Sequence, residues 1–407
     1  MAMSLLRKEK QYARLFLSGT VNGIGDRFSQ VALLSLVISL TGSGMAVGIT
    51  MAIRVIPFLV FGPAGGMLAS RISRKKLMVV TDIVRSVVAI SLLAVHSKGD
   101  LWILYSVTFI LAALEALYAP ARKSSIPLLV STERLLTVNS LEQVMNGLIL
   151  IIGAFAGGIV SYWFGSQYAF VVNSVSFLIA GLTISTIKYP KQEIERVEEW
   201  AESDSPIYRD RSSFIYLLRH SAVLKWIIVF EICVSIVNGI DNVLISVYAV
   251  QEYGMGDLGI GFFYASLGAG LMLSFTLVRF VNTKLMLWGV CALIAEGVLL
   301  MCVSQSNHFI WACILYLALS LMSGLGNASL DTLIMNETPQ RYHGMLFGMM
   351  ATIGNTLIGC SMFGAGVALE YVEPRSLGWI GGAAFIIIGL SMMLAGRRFH
   401  SNEQAAM

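Results

Sequence analysis

The sequence predicts an all-α membrane protein with twelve transmembrane helices in two pseudo-symmetric six-helix bundles. Three observations predict it. Of 407 residues, 56% are hydrophobic and only 13% charged, whereas a soluble domain carries roughly 25% charged residues. Twelve apolar runs follow one another along the chain, each close to the roughly 20 helical residues that cross a bilayer. One long polar stretch, YPKQEIERVEEWAESDSPIYRDRSS at residues 189–213, divides those runs into six and six.

The runs occupy residues 12–40, 45–70, 77–95, 101–118, 138–164, 166–188, 221–250, 257–279, 284–304, 309–332, 343–371 and 374–397. They are continuously apolar and do not alternate over ten-residue segments, so they read as helices and not as barrel strands. Met1 to Arg14 is basic, and the run it leads into is too long for a signal peptide and lacks a cleavage site, so it is expected to stay uncleaved. The expected organisation is a first bundle over 12–188, a linker over 189–220 and a second bundle over 221–398. The end of the linker region, SFIYLLRHSAVLKW, is basic and amphipathic; it reads either as a helix on the inner membrane surface or as a solvated tether.

Lysine and arginine are placed unevenly. With a cytoplasmic N-terminus, the inner loops hold Arg7, Lys8, Lys10, Arg14, Arg71, Arg74, Lys75, Lys76, Arg122, Lys123, Arg134, the group from Lys188 to Lys225, Arg279, Lys284, Arg341, Arg397 and Arg398. The outer loops keep only Lys98 and Arg375. By the positive-inside rule both termini are cytoplasmic. Short basic turns of this kind are not a folded basic face, so nucleic acid is excluded as a partner. All five cysteines fall within spans, without a C-x-x-C pair or a histidine at ligand spacing. No disulfide framework, metal or cofactor is expected.

Polar residues inside the spans carry the functional signal. In the first span Asn22, Asp26 and Ser29 or Gln30 share a face, with Arg27 beside Asp26 and Arg54 on the next span. A charge at the centre of a spanning helix costs about 2.5 to 3.5 kcal/mol on insertion scales, which demands partners. The seventh span repeats the pattern with Glu231, Ser235, Asn238 and Asn242, and Asp241 on the flank; Glu296 is the lone acid of the ninth. Val21-Asn22-Gly23-Ile24 recurs as Val237-Asn238-Gly239-Ile240, and the loop IPLLVSTER at 126–134 is echoed by LIMNETPQR at 333–341. Both matches fall at equivalent places in the two halves, as in parallel six-span repeats. Two readings of Asp26 stay open: a proton-coupling carboxylate in a central cavity with Asn22, Arg27, Arg54, Glu231, Asn238 and Asp241, or a static ion pair with Arg27 or Arg54. Gly23-Ile24-Gly25-Asp26 also spells the G-x-G-D of intramembrane aspartyl proteases, but the second aspartate in a Y-D pair is missing. Two carboxylates sharing a proton are the chemistry of such a site. H-E-x-x-H, G-x-S-x-G and the P-loop are missing too, so no enzymatic activity is expected.

The turn after the second span reads GGMLASRISRKK, with Gly66, Leu68, Ala69, Arg71, Arg74 and Lys75 in register; the fifth span places Gly153, Gly157 and Gly158 in NGLILIIGAFAGG. The first pattern resembles the G-x-L-a-D-R-x-G-R-R/K signature of the major facilitator superfamily, with Ser70 and Ser73 where the aspartate and second glycine are usual. The second is similar to the superfamily's antiporter signature, with Ala154 where proline is usual, and is equally what small-residue helix packing requires. With A-P-x-R-x-x-x-I-P-x-L-V at 119–130 and N-S-L at 139–141, the chain looks like the branch of macrolide-efflux and enterobactin-type siderophore exporters, and lysophospholipid transporters are similar. The resemblance implies a monomeric carrier in a bacterial cell (inner) membrane, in contact with membrane lipids, that exchanges a small-molecule substrate for protons. It also implies a cytoplasmic gate at Gly66, Arg71 and Arg74, with Asp82, Arg85 and Glu115 as a substitute for the missing acid. Glu115 is expected to pair with Arg74 or to snorkel. The run MLFGMMATIGNTLIGCSMF at 345–363 and the cluster Phe262, Phe263, Tyr264 are expected either to line an adaptable cavity in the second half or to pack its core.

The lysine and arginine asymmetry has a direct test. Cysteines placed at positions 43 or 305 are expected to react with an impermeant thiol reagent from outside the cell, and cysteines at 74 or 205 are not. External labelling at 205 overturns the orientation.

Overall fold

A computed structural model describes residues 2–42, 44–153, 163, 165–190, 207–281 and 284–405. Among them the chain is helical, with twelve helices long and apolar enough to cross a membrane: Lys10–Thr41, Gly48–Arg71, Arg74–Ala94, Lys98–Leu129, Thr132–Gly153, Ser166–Ser185, Ala222–Glu252, Leu258–Phe280, Leu285–Gln305, Phe309–Glu337, Gln340–Ala368 and Pro374–Leu394. They are called spans one to twelve below. Each coincides with one expected apolar run. Among the described residues the largest difference is in the fourth, expected to stop near 118 and continuing to Leu129, while residues 154–162 of the expected fifth run lie outside them. Its last turns carry Arg122, Lys123 and two serines. A polar segment ends a hydropathy run, but it does not end the backbone hydrogen bonding that defines a helix.

The same four helix pairings build each half. Spans one and six, two and four, three and four, and three and six pack together; so do seven and twelve, eight and ten, nine and ten, and nine and twelve. The echoed V-N-G-I segments acquire a common reason from this repeat. A Cβ on Gly23 would run into Ile149 of the fifth span, and a Cβ on Gly239 would stand 2.6 Å from Ser361 and 2.7 Å from the carbonyl of Ile358 in the eleventh. In each half the first helix crosses the fifth at a glycine that has no room for a side chain, which is why the two segments match at that position.

The chain divides into two compact units that differ from the expected bundles of 12–188 and 221–398. The first comprises Met1–Thr132, Leu148–Ser203 and Gln340–Thr356; the second comprises Glu133–Gly147, Asp204–Pro339 and Leu357–Met407. Each unit thus takes half of a span that the linear order gives to the other bundle. The first unit binds the start of the eleventh span through glycines. A Cβ on Gly66 would stand 2.7 Å from the carbonyl oxygen of Gly344, and one on Gly348 would stand 2.6 Å from that of Gly62. The Thr352 hydroxyl lies 3.1 Å from the Phe58 carbonyl. The second unit holds the start of the fifth span by the same device, with Gly147 against the backbone of Gly268 and the Asn139 amide donating to the Thr332 hydroxyl at 2.9 Å.

Glycine at these crossings is a packing requirement, and it sets up a paired comparison. Gly66→Ala places a methyl against backbone that cannot rotate away, whereas Gly364→Ala meets nothing within 4 Å. The first is expected to destabilise the purified protein by about 1–3 kcal/mol through overpacking; the second is expected to be neutral or to gain about 0.5–1 kcal/mol of helix propensity. Thermal melting in detergent reads both, and equal melting temperatures contradict the close crossing.

Candidate functional site

Depth along the helices decides which polar residues meet. In the first span Asn22 and Asp26 lie 12 and 16 residues from Lys10, about 18 and 24 Å at the helical rise. The second span runs back toward that end, and Arg54 lies 17 residues from its last residue, Arg71, about 26 Å. In the third span Arg85 is 11 residues from Arg74, and in the fourth Glu115 is 14 residues from Leu129, about 17 and 21 Å. Four helices therefore bring their charged residues to one level of the first unit.

Arg85 is the hub. Only 1% of its side chain is exposed, yet Nη2 lies 2.7 Å from a Glu115 oxygen and 3.9 Å from Asp26, and Nη1 lies 3.7 Å from Asp82. Asn22 joins two of these groups, donating to Asp82 at 2.8 Å and accepting from Arg85 at 3.4 Å. The guanidinium also stacks over Phe177, 4.1 Å from the ring centroid, with Tyr118 at 5.7 Å. Arg54 donates to the other Asp26 oxygen at 3.1 Å. Arg122 contributes its field to Asp82 and occupies space that Gly19 leaves, since a Cβ there would stand 2.5 Å from its Nη2. Each acid of the cluster thus lies within 4 Å of an arginine, as buried charge in a low-dielectric setting requires.

This arrangement corrects one expected pairing, selects between the two partners left open for Asp26, and shows where three expected gate residues lie. Glu115 pairs with Arg85 and not with Arg74, because Arg74 sits at the start of its helix, about 17 Å below the level of Arg85. Asp26 takes Arg54, not its neighbour Arg27, as its hydrogen-bonded partner; adjacent helical residues point about 100° apart, and Arg27 donates to Gln30 at 3.1 Å. Asp82, Arg85 and Glu115, expected with the gate, lie against Asn22 and Asp26. The role of Arg85 had a partial signal in its i, i+3 spacing from Asp82; Arg122, Phe177 and Tyr118 had none.

The expected gate residues occupy the other end of the first unit. Arg74 is fully buried and donates to the backbone carbonyl of Gln340 at 3.2 Å, while Gln340 reaches the Pro127 carbonyl at 3.5 Å. Ser70, standing for the usual aspartate, is also buried and turns its hydroxyl onto the Met67 carbonyl of its own helix at 2.7 Å. Gly66 is the crossing glycine described above, and Arg71 is half-buried near the helix end. Gly153 leaves room for Arg27, whose Cβ would stand 2.7 Å from a Cβ there. Gly157 and Gly158 lie outside the described residues.

In the second unit the polar groups are differently served. Tyr316 of the tenth span donates to Asp241 at 3.3 Å, Ser235 donates to Glu231 at 3.5 Å, and the Asn242 amide donates to the Asn238 carbonyl at 2.8 Å. Glu296 has the Ser323 side chain beside it. Of the two readings of the aromatic cluster, core packing holds for Phe263, which is fully buried and packs on Tyr316 with centroids 4.8 Å apart, while Phe262 is exposed. Met345, Phe347 and Met350 are buried in the first unit, and Met362 and Phe363 are the large apolar side chains of the run that are exposed. No cluster of histidine, cysteine or acid among the described residues fits a metal ion.

A G-x-G-D protease reading has no second carboxylate to share a proton with Asp26, whose nearest charged partners are arginines. Comparison with known proteins points elsewhere. The sequence profile of the Major Facilitator Superfamily matches residues 15–363. The chain is 22% identical to the uncharacterized MFS-type transporter YfiS of Bacillus subtilis (strain 168) across 97% of this chain and 95% of that protein. It is 23% identical to macrolide efflux protein A of Streptococcus pyogenes, across 82% of this chain and 83% of that one. Among solved structures, the human organic anion transporter MFSD10 (TETRAN) superposes with a TM-score of 0.79 at 12% identity, covering 94% of this chain and 99% of that one. With twelve spanning helices, two matching sets of helix pairings and a family profile over most of its length, the chain is a multi-pass membrane transporter that belongs to the Major Facilitator Superfamily.

Proposed function

We propose that this transporter exports hydrophobic or amphipathic small molecules by alternating access, driven by proton entry. The observation that carries the reading is the Asp26–Arg54 pair. It sits near mid-depth of its spans, tied at 3.1 Å, with 24% and 29% of the two side chains exposed. Buried charge there is costly, and a pair open on one side has a ligand-accessible face, which a purely structural pair does not require. Asp26 stands between two arginines, Arg54 and Arg85. A substrate that draws on either partner changes the strength of the tie among the first three spans, and this is how occupancy would bias helix arrangement. Similarity to a macrolide efflux protein over 82% of the chain supports export of bulky amphipathic compounds.

The remaining roles follow from the same reading. Arg74, Arg71 and Gly66 form the cytoplasmic latch, and the charge asymmetry of the loops supports an inner position for it and for both termini. Lipids of a bacterial inner membrane cover the exposed apolar faces, and a single chain suffices for the cycle.

Asp26→Asn separates coupling from structure when two quantities are measured together. Proteoliposomes with an imposed pH gradient are offered a panel of macrolides and amphipathic dyes. The wild type is expected to accumulate some of them only under the gradient, and Asp26→Asn to bind but not accumulate them. A static role predicts instead that Asn, leaving Arg54 without its counter-charge, lowers the melting temperature by the equivalent of about 3–5 kcal/mol and reduces yield. Gradient-driven accumulation by a well-folded Asp26→Asn variant removes Asp26 from the mechanism. Gradient-independent movement in the wild type removes proton coupling altogether.

A further inference from the structure

We propose that Asp241 and Glu296 form a proton-binding pair in the second unit, separate from the arginine-held acids around Asp26. This rests on the proton-coupled reading above and assigns it to particular atoms. Both residues are buried, 9% and 6% exposed. Neither has a cationic partner among the described residues: Asp241 accepts from the Tyr316 hydroxyl at 3.3 Å, and Glu296 has the Ser323 side chain of the tenth span beside it.

The contrast with the first unit lies in the sequence as well as in the contacts. Spans one to four carry Arg27, Arg54, Arg85 and Arg122 well inside their helices, whereas spans seven to ten and twelve confine lysine and arginine to their ends: Lys225, Arg279, Arg375 and Lys284 just before the ninth. Facing Asp241, the tenth span brings Tyr316, and its own helix brings Tyr248, whose hydroxyl is taken by Ser304 at 2.9 Å and the Pro374 carbonyl at 3.2 Å. The twelfth offers Arg375, held by Glu252 at 2.6 Å and Asn307 at 2.9 Å. Tyr264 is the titratable residue of the eighth span and Cys360 that of the eleventh from Leu357 on; neither segment contains a charged residue inside the helix. Around Glu296 the tenth span presents Ser323 and Gly326, whose Cβ would stand 3.8 Å from a Glu296 oxygen. The twelfth span has no charged residue from Ser376 to Ala395.

Hydroxyl partners suit a group that gains and loses a proton. An ionised carboxylate accepts from a hydroxyl, and a protonated carboxyl donates to the same oxygen once its hydrogen rotates. At Asp241 both states keep the hydrogen bond to Tyr316. A carboxylate held by a fully buried arginine, as Asp82 and Glu115 are by Arg85, has less of that freedom, since its protonation leaves a buried cation short of counter-charge. The two acids also lie at different depths. Asp241 is 19 residues from Ala222 and Glu296 is 11 from Leu285, about 29 and 17 Å along their helices. Tyr316 and Ser323 are two turns apart on one face of the tenth span, with Ser320, which donates to the Leu267 carbonyl at 2.6 Å, on the same stripe. The stripe connects two proton-holding levels within one unit.

Infrared titration of the purified protein in lipid nanodiscs tests this without a known substrate. The wild type is expected to show a protonated-carboxyl stretching band that rises and falls with pH. Asp241→Asn and Glu296→Gln each remove part of it, the double variant removes it, and Asp241→Glu retains it. Both neutral substitutions mimic the protonated state, so their melting temperatures are expected to stay at the wild-type value, and a melt confirms that band loss is not unfolding. Asp26→Asn is expected to leave the band in place. A band that survives in the double variant, or that disappears with Asp26→Asn, overturns the proposal. If the band behaves as expected but the wild type accumulates nothing under a pH gradient, the proton site stands and proton-driven export fails; coupled accumulation that survives in the double variant sinks the pair and leaves export intact.

Discussion

A guanidinium at mid-depth of a membrane helix must be neutralised by other helices, and the first unit is arranged around that requirement. Arg85 is almost wholly buried and holds Asp26, Asp82 and Glu115 from three spans, counting its own. Removing one acid would not simply delete an attraction; it would leave buried positive charge uncompensated, which is the more expensive fault. The ring of Phe177 and the amide of Asn22 complete the guanidinium's surroundings. The register of spans one, three and four is therefore fixed by charge as much as by apolar packing, which in a bilayer supplies little preference between neighbouring helices and lipid tails.

The second unit repeats the backbone plan and drops the electrostatics. Its helices pair in the same four combinations, and Gly239 repeats the crossing of Gly23. At a constant offset of 216 residues, however, Asp26 corresponds to Asn242, and Gly25 to Asp241. A one-residue shift of the acid along the helix turns it by about 100°. Asp241 consequently meets the tenth span's Tyr316, and not a position like that of Arg54. Symmetric helices with unlike charge placement let one half keep fixed ion pairs while the other holds carboxyls among hydroxyls.

Much of the fold is legible in the amino-acid sequence. The twelve spans follow from hydropathy because a bilayer imposes one length on every crossing, and the V-N-G-I echo locates equivalent helices of the two halves. Partner choice in the site is less legible. That Asp26 needs a cation can be read from its depth, but choosing among Arg27, Arg54 and Arg85 requires the relative heights of four helices. Those heights depend on where each helix ends, and hydropathy misplaces the end of the fourth by eleven residues, at 118 and not at Leu129. The same error of level makes Arg74 look like a partner for Glu115. Glycine crossings such as Gly66 with Gly344 have no sequence signal beyond composition, because a glycine announces that something approaches closely without saying what.

The glycine crossings and the charge cluster also divide their work by reversibility. Gly62 and Gly66 meet Gly344 and Gly348 through backbone van der Waals contact, and Arg74, Gln340 and Thr352 add hydrogen bonds to backbone carbonyls there. Dispersion contacts between small residues are individually weak, so such a crossing separates at modest cost and re-forms without a search through rotamers. The Arg85 cluster lacks that property, since parting its members exposes several charges to a low dielectric at once. A carrier that alternates between two arrangements is best served by motion at the first kind of contact and persistence at the second. Glycines at the ends of spans two and eleven, and Arg85 at mid-depth of span three, are placed to suit that division.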